Sequence, residues 1–426
     1  MTHLSKSVVV IGGGVIGALA AYYLARRGLA VTIVEQGQFG RGCSHANCGL
    51  ICPSHVLPLA GPGVAWAGLK ALLTRNSPLA IRPRLDPALW SWLWQFARRC
   101  NERDMLASAR ALAPLLASSR RLFDELLAEE RIDCEWESRG LLLVFQSAAA
   151  FEHYARTDEL MRRELGIEAR RLPAEELEAF EPALLPGLAG GWWTEAEAHL
   201  RPDRLMTELA RVLDSRGVTI HEQCSAQRLV AEGGRARALE TTSGELAADA
   251  LVLAAGALSP QWQRQLGCRL PIQPGKGYSI TMPRPARCPR VPIIFEEHRV
   301  AVTPLRSGYR MGSTMEFAGY DSSLNPRRIE LLKSAARRYL HEPLAEPIEE
   351  EWFGWRPMTP DSVPIIGKSP ALANVWIAAG HNMLGLSLAP ATGKLVAELI
   401  TGEQPHVEPA PYSAARFYTA RGPSSH

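Results

Sequence analysis

Three sets of residues in this chain are of types that can do chemistry together. The first is Arg356, held between Trp355 and Pro357 in "FGWRPMTPDSVPIIG", a segment otherwise short of positive charge. A guanidinium fork makes two parallel charge-assisted hydrogen bonds to a carboxylate and so fixes its orientation, as a lysine cannot. The alternative is an arginine paired with Asp361 in a surface turn. The second set is "GGGVIG", where Gly12, Gly14 and Gly17 make G-x-G-x-x-G around Val15 and Ile16. The third is Glu35, 18 positions beyond Gly17. Glycines that let a backbone approach a pyrophosphate, followed at that spacing by a carboxylate for a ribose diol, describe a dinucleotide site.

The elements that must position these groups are legible around them. Ser7 to Ile11 is a short apolar run, read as a buried parallel strand. A helix is predicted from about Val15 to Arg27, stopped by Gly28, and "LAVTIVE" is a second strand ending at Glu35. Strand, glycines, helix, strand and acid in this order make the glycine signal specific.

Two further stretches favour FAD over NAD. In "ADALVLAAGALSP" a buried strand ends at Ala255–Gly256, and a β-hairpin around Ser243–Gly244 precedes it. In "NVWIAAGHNMLGLSLAPATGKLVAELITG" a strand ends at Gly380 and a helix runs from near Leu386 to Ile400. The free N–H groups and dipole of that helix N-terminus suit the anionic N1–C2 carbonyl edge of a reduced flavin.

Composition narrows the class. The 426 residues suggest two domains, and a net charge of +3 without a basic stripe excludes nucleic acid as a partner. Among eight cysteines, Cys43, Cys48 and Cys52 come closest to one another, but no spacing completes a zinc or iron–sulfur set, so no metal is expected. Scattered cysteines fit a reducing, cytoplasmic compartment. Neither a Ser/His/Asp arrangement nor a paired-carboxylate signature stands out. The apolar N-terminus reads as strand–turn–helix rather than as a signal peptide, and no run is long enough to span a membrane.

With these segments in place, the chain resembles the glycine/D-amino-acid oxidase (DAO) family of flavoproteins, and within it the bacterial FAD-dependent D-amino-acid dehydrogenases. The matching pieces are "VVVIGGGVIG", "GCSHANCGLI", "PGKGYSIT", "GWRPMTPDSVPIIG" and "GHNMLGLSLAPATG". The resemblance implies an α/β fold with a discontinuous Rossmann-like FAD-binding domain at residues 1–57, 200–268 and 350–426. It implies an α+β substrate domain on a mostly antiparallel sheet at 58–199 and 269–349. The reaction implied is hydride transfer from an amino-acid Cα to flavin N5, giving an imine, with electrons passed to a quinone. Arg356 matches the family's arginine for the substrate carboxylate. Cofactor contacts are implied at Gly12, Gly14, Val15, Ile16, Gly17, Glu35 and Gln36, and along the turn Ser44, His45, Ala46, Asn47, Cys48, Gly49 and Leu50. Ala255, Gly256, Gly354, Asn382, Met383, Leu384, Gly385 and Leu386 complete that set.

Finer expectations concern the substrate side. His45 falls one position off the histidine to which some relatives attach flavin, so non-covalent FAD is expected; His45 is either a substrate-side group or a packed histidine. Tyr278 either reaches the pocket or is an ordinary sheet tyrosine. Met383 stands where glycine oxidase has an arginine, which points away from glycine and toward an uncharged side chain such as that of a D-amino acid or D-proline. A glycine or sarcosine oxidase using O2, and a flavin subunit of a heteromeric complex with partner subunits, are the alternatives. The tryptophan-rich, basic stretch 64–96 (Trp66, Lys70, Arg75, Arg82, Arg84, Trp90, Trp92, Trp94) fits either peripheral contact with the inner face of a membrane or a cap on the core.

Overall fold

The glycine-rich loop opens a sheet whose strands run, in spatial order, 365–368, 375–379, 250–253, 7–11, 30–34 and 219–221. All neighbours are parallel except 365–368, which lies antiparallel at the edge. The strand order turns back at 7–11, between 250–253 and 30–34, which is where open α/β sheets bind ligands. The computed structural model describes residues 6–417 apart from 67 and 69–76. Lys70 and Arg75 of the tryptophan-rich stretch lie outside the described residues.

The predicted helix spans Val15–Ala25 and is buried along nearly its whole length. It packs against the C-terminal helix Gly385–Thr401, where a Cβ on Gly393 would stand 2.6 Å from the Leu19 backbone. That contact requires a glycine. The second body is a nine-stranded sheet, ordered 350–358, 273–282, 308–317, 300–305, 293–295, 141–145, 190–194 and 170–173, with 79–81 beside 308–317. Among the described residues two of its pairings are parallel, 79–81 with 308–317 and 141–145 with 293–295. The α/β nucleotide body with a mostly antiparallel second sheet is therefore as expected, and so is the hairpin, where 235–241 pairs antiparallel with 244–247.

Two placements differ from the expected boundaries. The strand Glu350–Met358, expected with the cofactor body, forms the edge of the large sheet against Gln273–Met282. The helix Glu102–Glu129, expected with the substrate body, buries Leu112, Leu116 and Phe123 in the same core as the glycine-loop and C-terminal helices. Hydrophobic periodicity shows that a helix has a buried face but not which body covers it. No helix among the described residues is long and apolar enough to cross a membrane.

Candidate active site and cofactor cradle

At the cradle, Gly12 adopts φ +110°, and a Cβ there would lie 2.5 Å from the Ala254 carbonyl oxygen. A Cβ on Gly17 would stand 1.9 Å from the Gly12 oxygen. Both glycines are therefore required by close backbone approach. Ala255 and Gly256 flank this loop at the end of strand 250–253. The Glu35 carboxylate accepts from the Gly13 N–H at 2.7 Å and from the Gly37 N–H at 2.9 Å, which holds it beside the loop with lone pairs to spare. Val15 N–H donates to Ser44 Oγ at 3.0 Å, so a hydroxyl stands at the helix N-terminus where an anion is favoured. Ile16 is partly exposed and Gln36 is exposed.

The turn 44–50 is fastened to one face of the large sheet. Ser279 Oγ donates to Ala46 O at 2.6 Å, Thr303 Oγ1 to Cys48 O at 2.6 Å, and Arg310 to Asn47 O at 3.1 Å. Arg310, 1% exposed, also pairs with Asp203 at 3.2 Å. Gly49 has φ +71°, and a Cβ would stand 2.0 Å from Leu200 O. Leu50 pairs with His199. Thus Ser44 to Leu50 form one rigid bridge between the glycine loop and the sheet.

Arg356 lies on that same face. Its guanidinium covers Gly277, where a Cβ would fall 2.3 Å from Cζ, and Nη1 donates to Thr314 O at 2.6 Å. That carbonyl is aimed by a bulge between the Lys276 and Tyr278 pairings, where Ser313 and Thr314 both have positive φ. Among the described residues Arg356 has no acidic partner: Asp361 instead pairs with Arg416 at 2.8 Å. The surface-turn alternative is overturned. Cys43 and Cys48 lie near enough for Arg356 to act on them, yet burial pushes Cys43 up to about 11 and Cys48 upward, so both stay neutral thiols. Burial lowers the Arg356 pKa, the signature of a desolvated cation without a counter-ion.

The C-terminal loop is clamped to this arginine strand. Asn382 N–H donates to Pro357 O at 3.1 Å, its side-chain oxygen accepts from Thr359 N–H at 2.8 Å, and its amide donates to Gly380 O at 2.8 Å. Its side chain is fully used in the clamp. Beside it, Met383 is 47% exposed, and Leu384–Leu386 begin a helix with no side-chain cap. The glycine loop, the turn 44–50, the uncapped helix end and Arg356 thus converge.

Three expected residues stand apart from that convergence. Tyr278 points to the opposite face of the sheet and donates to Glu316 at 2.5 Å, because alternation puts Gly277 and Ser279, not Tyr278, beside Arg356. His45 is packed between Arg41 (2.9 Å) and Glu350 (2.8 Å). Glu350 and Arg356 are six residues apart on one strand, about 20 Å by strand rise, so His45 is a packed histidine and not a neighbour of Arg356. The space over Gly354 is filled by the Trp352 ring, 2.2 Å from where a Cβ would be. Conversely, the structure gathers Cys52, His55 and Glu197, which the sequence reading missed although Cys52-x-x-His55 was a signal.

The model of FAD-dependent oxidoreductases known as DAO matches residues 7–399. The chain belongs to that family. FAD is its cofactor, and the close-approach glycines of the cradle and the uncapped helix fit it. The chain is 40% identical over 404 residues to the D-amino acid dehydrogenase of Paramagnetospirillum magneticum, covering 93% of this chain and 95% of that protein. It is 33% identical to that of Agrobacterium fabrum, covering 96% and 99%. In fold it is similar to glycine oxidase from Geobacillus kaustophilus, with TM-score 0.79, 24% identity and coverage of 97% and 99%.

Proposed function

We propose that the chain oxidises a D-amino acid at Cα, with Arg356 binding the substrate carboxylate and a quinone taking the electrons. The observation that carries this reading is the part-buried guanidinium of Arg356, which lacks an acidic partner among the described residues and stands between the cofactor turn and the uncapped helix. One donor on Thr314 O fixes its plane and leaves the rest of the fork for two parallel bonds to a carboxylate. FAD, when bound, accepts the hydride that leaves Cα. The chain's own work is to orient and desolvate: Gly277 gives the guanidinium its seat, Asn382 ties it to the helix end, and the turn 44–50 closes the cofactor side. The resulting imine hydrolyses in water.

Support for a D-amino acid comes from the two relatives, both named D-amino acid dehydrogenase. Met383 beside the helix end supports an uncharged substrate side chain. For a quinone acceptor, support comes from the helix Pro87–Arg99. Trp92 is buried and donates to Met358 O at 2.8 Å, two residues from Arg356, while Trp90 and Trp94 are exposed, as is Leu85. An apolar, arginine-flanked edge anchored next to the site suits a membrane-borne acceptor. The test is anaerobic mixing of the yellow holoenzyme with D-, L- and imino acids. D-amino acids should bleach the visible flavin band; bleaching by no amino acid, or by L-enantiomers only, would overturn the reading.

A further inference from the structure

Glu197 immediately precedes strand 198–199, and Cys52 immediately follows strand 50–51. In the antiparallel register Leu50 faces His199 and Ile51 faces Ala198, so Cys52 and Glu197 are the next cross-strand pair. The chain then turns, His55 N–H donating to Cys52 O at 3.3 Å, and this brings the His55 ring back over the pair. One ligand atom from each of the three lies within 4.8 Å of the others. Glu197 is fully buried; Oε1 accepts from Ser54 N–H at 3.0 Å, but Oε2 has no hydrogen-bond partner. A buried carboxylate oxygen left unpartnered is costly, and a ligand that engages it relieves that cost.

From this geometry we propose that Cys52, His55 and Glu197 form a zinc site. A thiol, an imidazole and a carboxylate together suit zinc, whereas calcium and magnesium prefer all-oxygen sets. Three protein ligands with an open fourth position is a common zinc arrangement. With bonds of about 2.0–2.3 Å, ligand atoms in such a centre lie about 3.3–3.8 Å apart, within reach of small rotamer adjustments here. On binding, the Cys52 S–H bond is broken, sulfur bonds to zinc, and the proton leaves to solvent. Thiolate and carboxylate together bring the loaded centre to net zero, which suits a cluster that already feels Arg299 at His55 and Arg120 at Glu197. The ion would staple the segment that follows the cofactor turn to strand 198–199. This does not depend on the substrate or acceptor.

The experiment uses the FAD-loaded full chain. It is stripped with a chelator, reloaded with zinc, freed of excess ion and measured for metal and flavin per chain. One zinc per chain is expected, with a higher melting temperature when loaded. Cys52→Ser and Glu197→Gln should lose the zinc while keeping FAD, and Cys268→Ser, at a distant buried thiol, should keep both. Cobalt loading should give ligand-field bands at wavelengths beyond the flavin's, absent in Cys52→Ser. Less than stoichiometric zinc in the wild-type chain, or equal zinc in Cys52→Ser and Glu197→Gln, would overturn the proposal. If both variants fail to fold, wild-type stoichiometry and the cobalt–sulfur spectrum still decide it.

Discussion

The two faces of the large sheet each hold a cation close to the bulge at Ser313–Thr314, Lys276 one strand away and Arg356 two, and they treat it oppositely. On one face Lys276, fully buried, donates to Ser323 O, lies 3.7 Å from Asp321 and stands 4.7 Å over the Phe353 ring. Around it, Tyr278 donates to Glu316, and Arg82 lies 3.2 Å from Asp321. On the other face Arg356 has, among the described residues, the Thr314 carbonyl, the Met315 sulfur at 4.0 Å and no anion. A buried charge is tolerated when its partners are built in, and an incomplete set is a place for something else to complete it. Lys276 has its partners built into the fold; Arg356 has the incomplete set on which its proposed carboxylate role rests.

Arg356→Ala should break the contrast most sharply. Loss of a buried charged anchor costs about 2–5 kcal/mol, on the order of 10²-fold or more in KM, with flavin content and melting temperature held. Unchanged kinetics in an FAD-loaded variant would remove the carboxylate role. Gly277→Ala comes next. Its Cβ displaces the guanidinium, and a misplaced anchor should cost roughly 10–10² in kcat/KM while FAD remains bound. If steady-state rates match wild type, the seat is not needed. Lys276→Met should do the reverse, lowering stability by about 1–3 kcal/mol in denaturant melts with kinetics unmoved. A KM effect there would mean that both faces serve substrate. Tyr278→Phe, which strips the donor from Glu316, should cost about 1 kcal/mol and leave kinetics alone. The smallest effect is in pH. Hydrogen bonds from Ser323 pull Asp321 from 3.8 down to about 2. A lowered folded pKa means that its stabilisation is present above the unfolded value and lost as pH falls through the folded one. Asp321→Asn should therefore flatten the stability–pH curve on the acid side.

The cofactor cradle was legible because each of its parts is local: a glycine pattern, a helix and an acid within 30 residues. Arg356 was legible as a cation without an evident reason, and the family resemblance supplied the reason. What could not be read was the facing of residues on the sheet. Tyr278 and Gly277 are neighbours in sequence, and only the register says that the glycine and not the tyrosine meets the arginine. Likewise "EEWFGWRPM" carries no label for the sheet it joins, and Cys52 and Glu197 meet through a two-residue strand pairing too short to leave a periodicity.

The Asn382 clamp has a mechanical consequence. The chain leaves the large sheet near Pro357, crosses to the nucleotide sheet as strands 365–368 and 375–379, and returns to be locked at Thr359, Pro357 and Gly380. That excursion is a closed loop with both feet on one asparagine. The spacing between the arginine and the C-terminal helix end is therefore set by a single residue, through its main-chain N–H and its side chain, rather than by how the two bodies lean on each other. The molecule carries its own gauge block, and domain flexing that would blur a site built across a hinge leaves this distance alone.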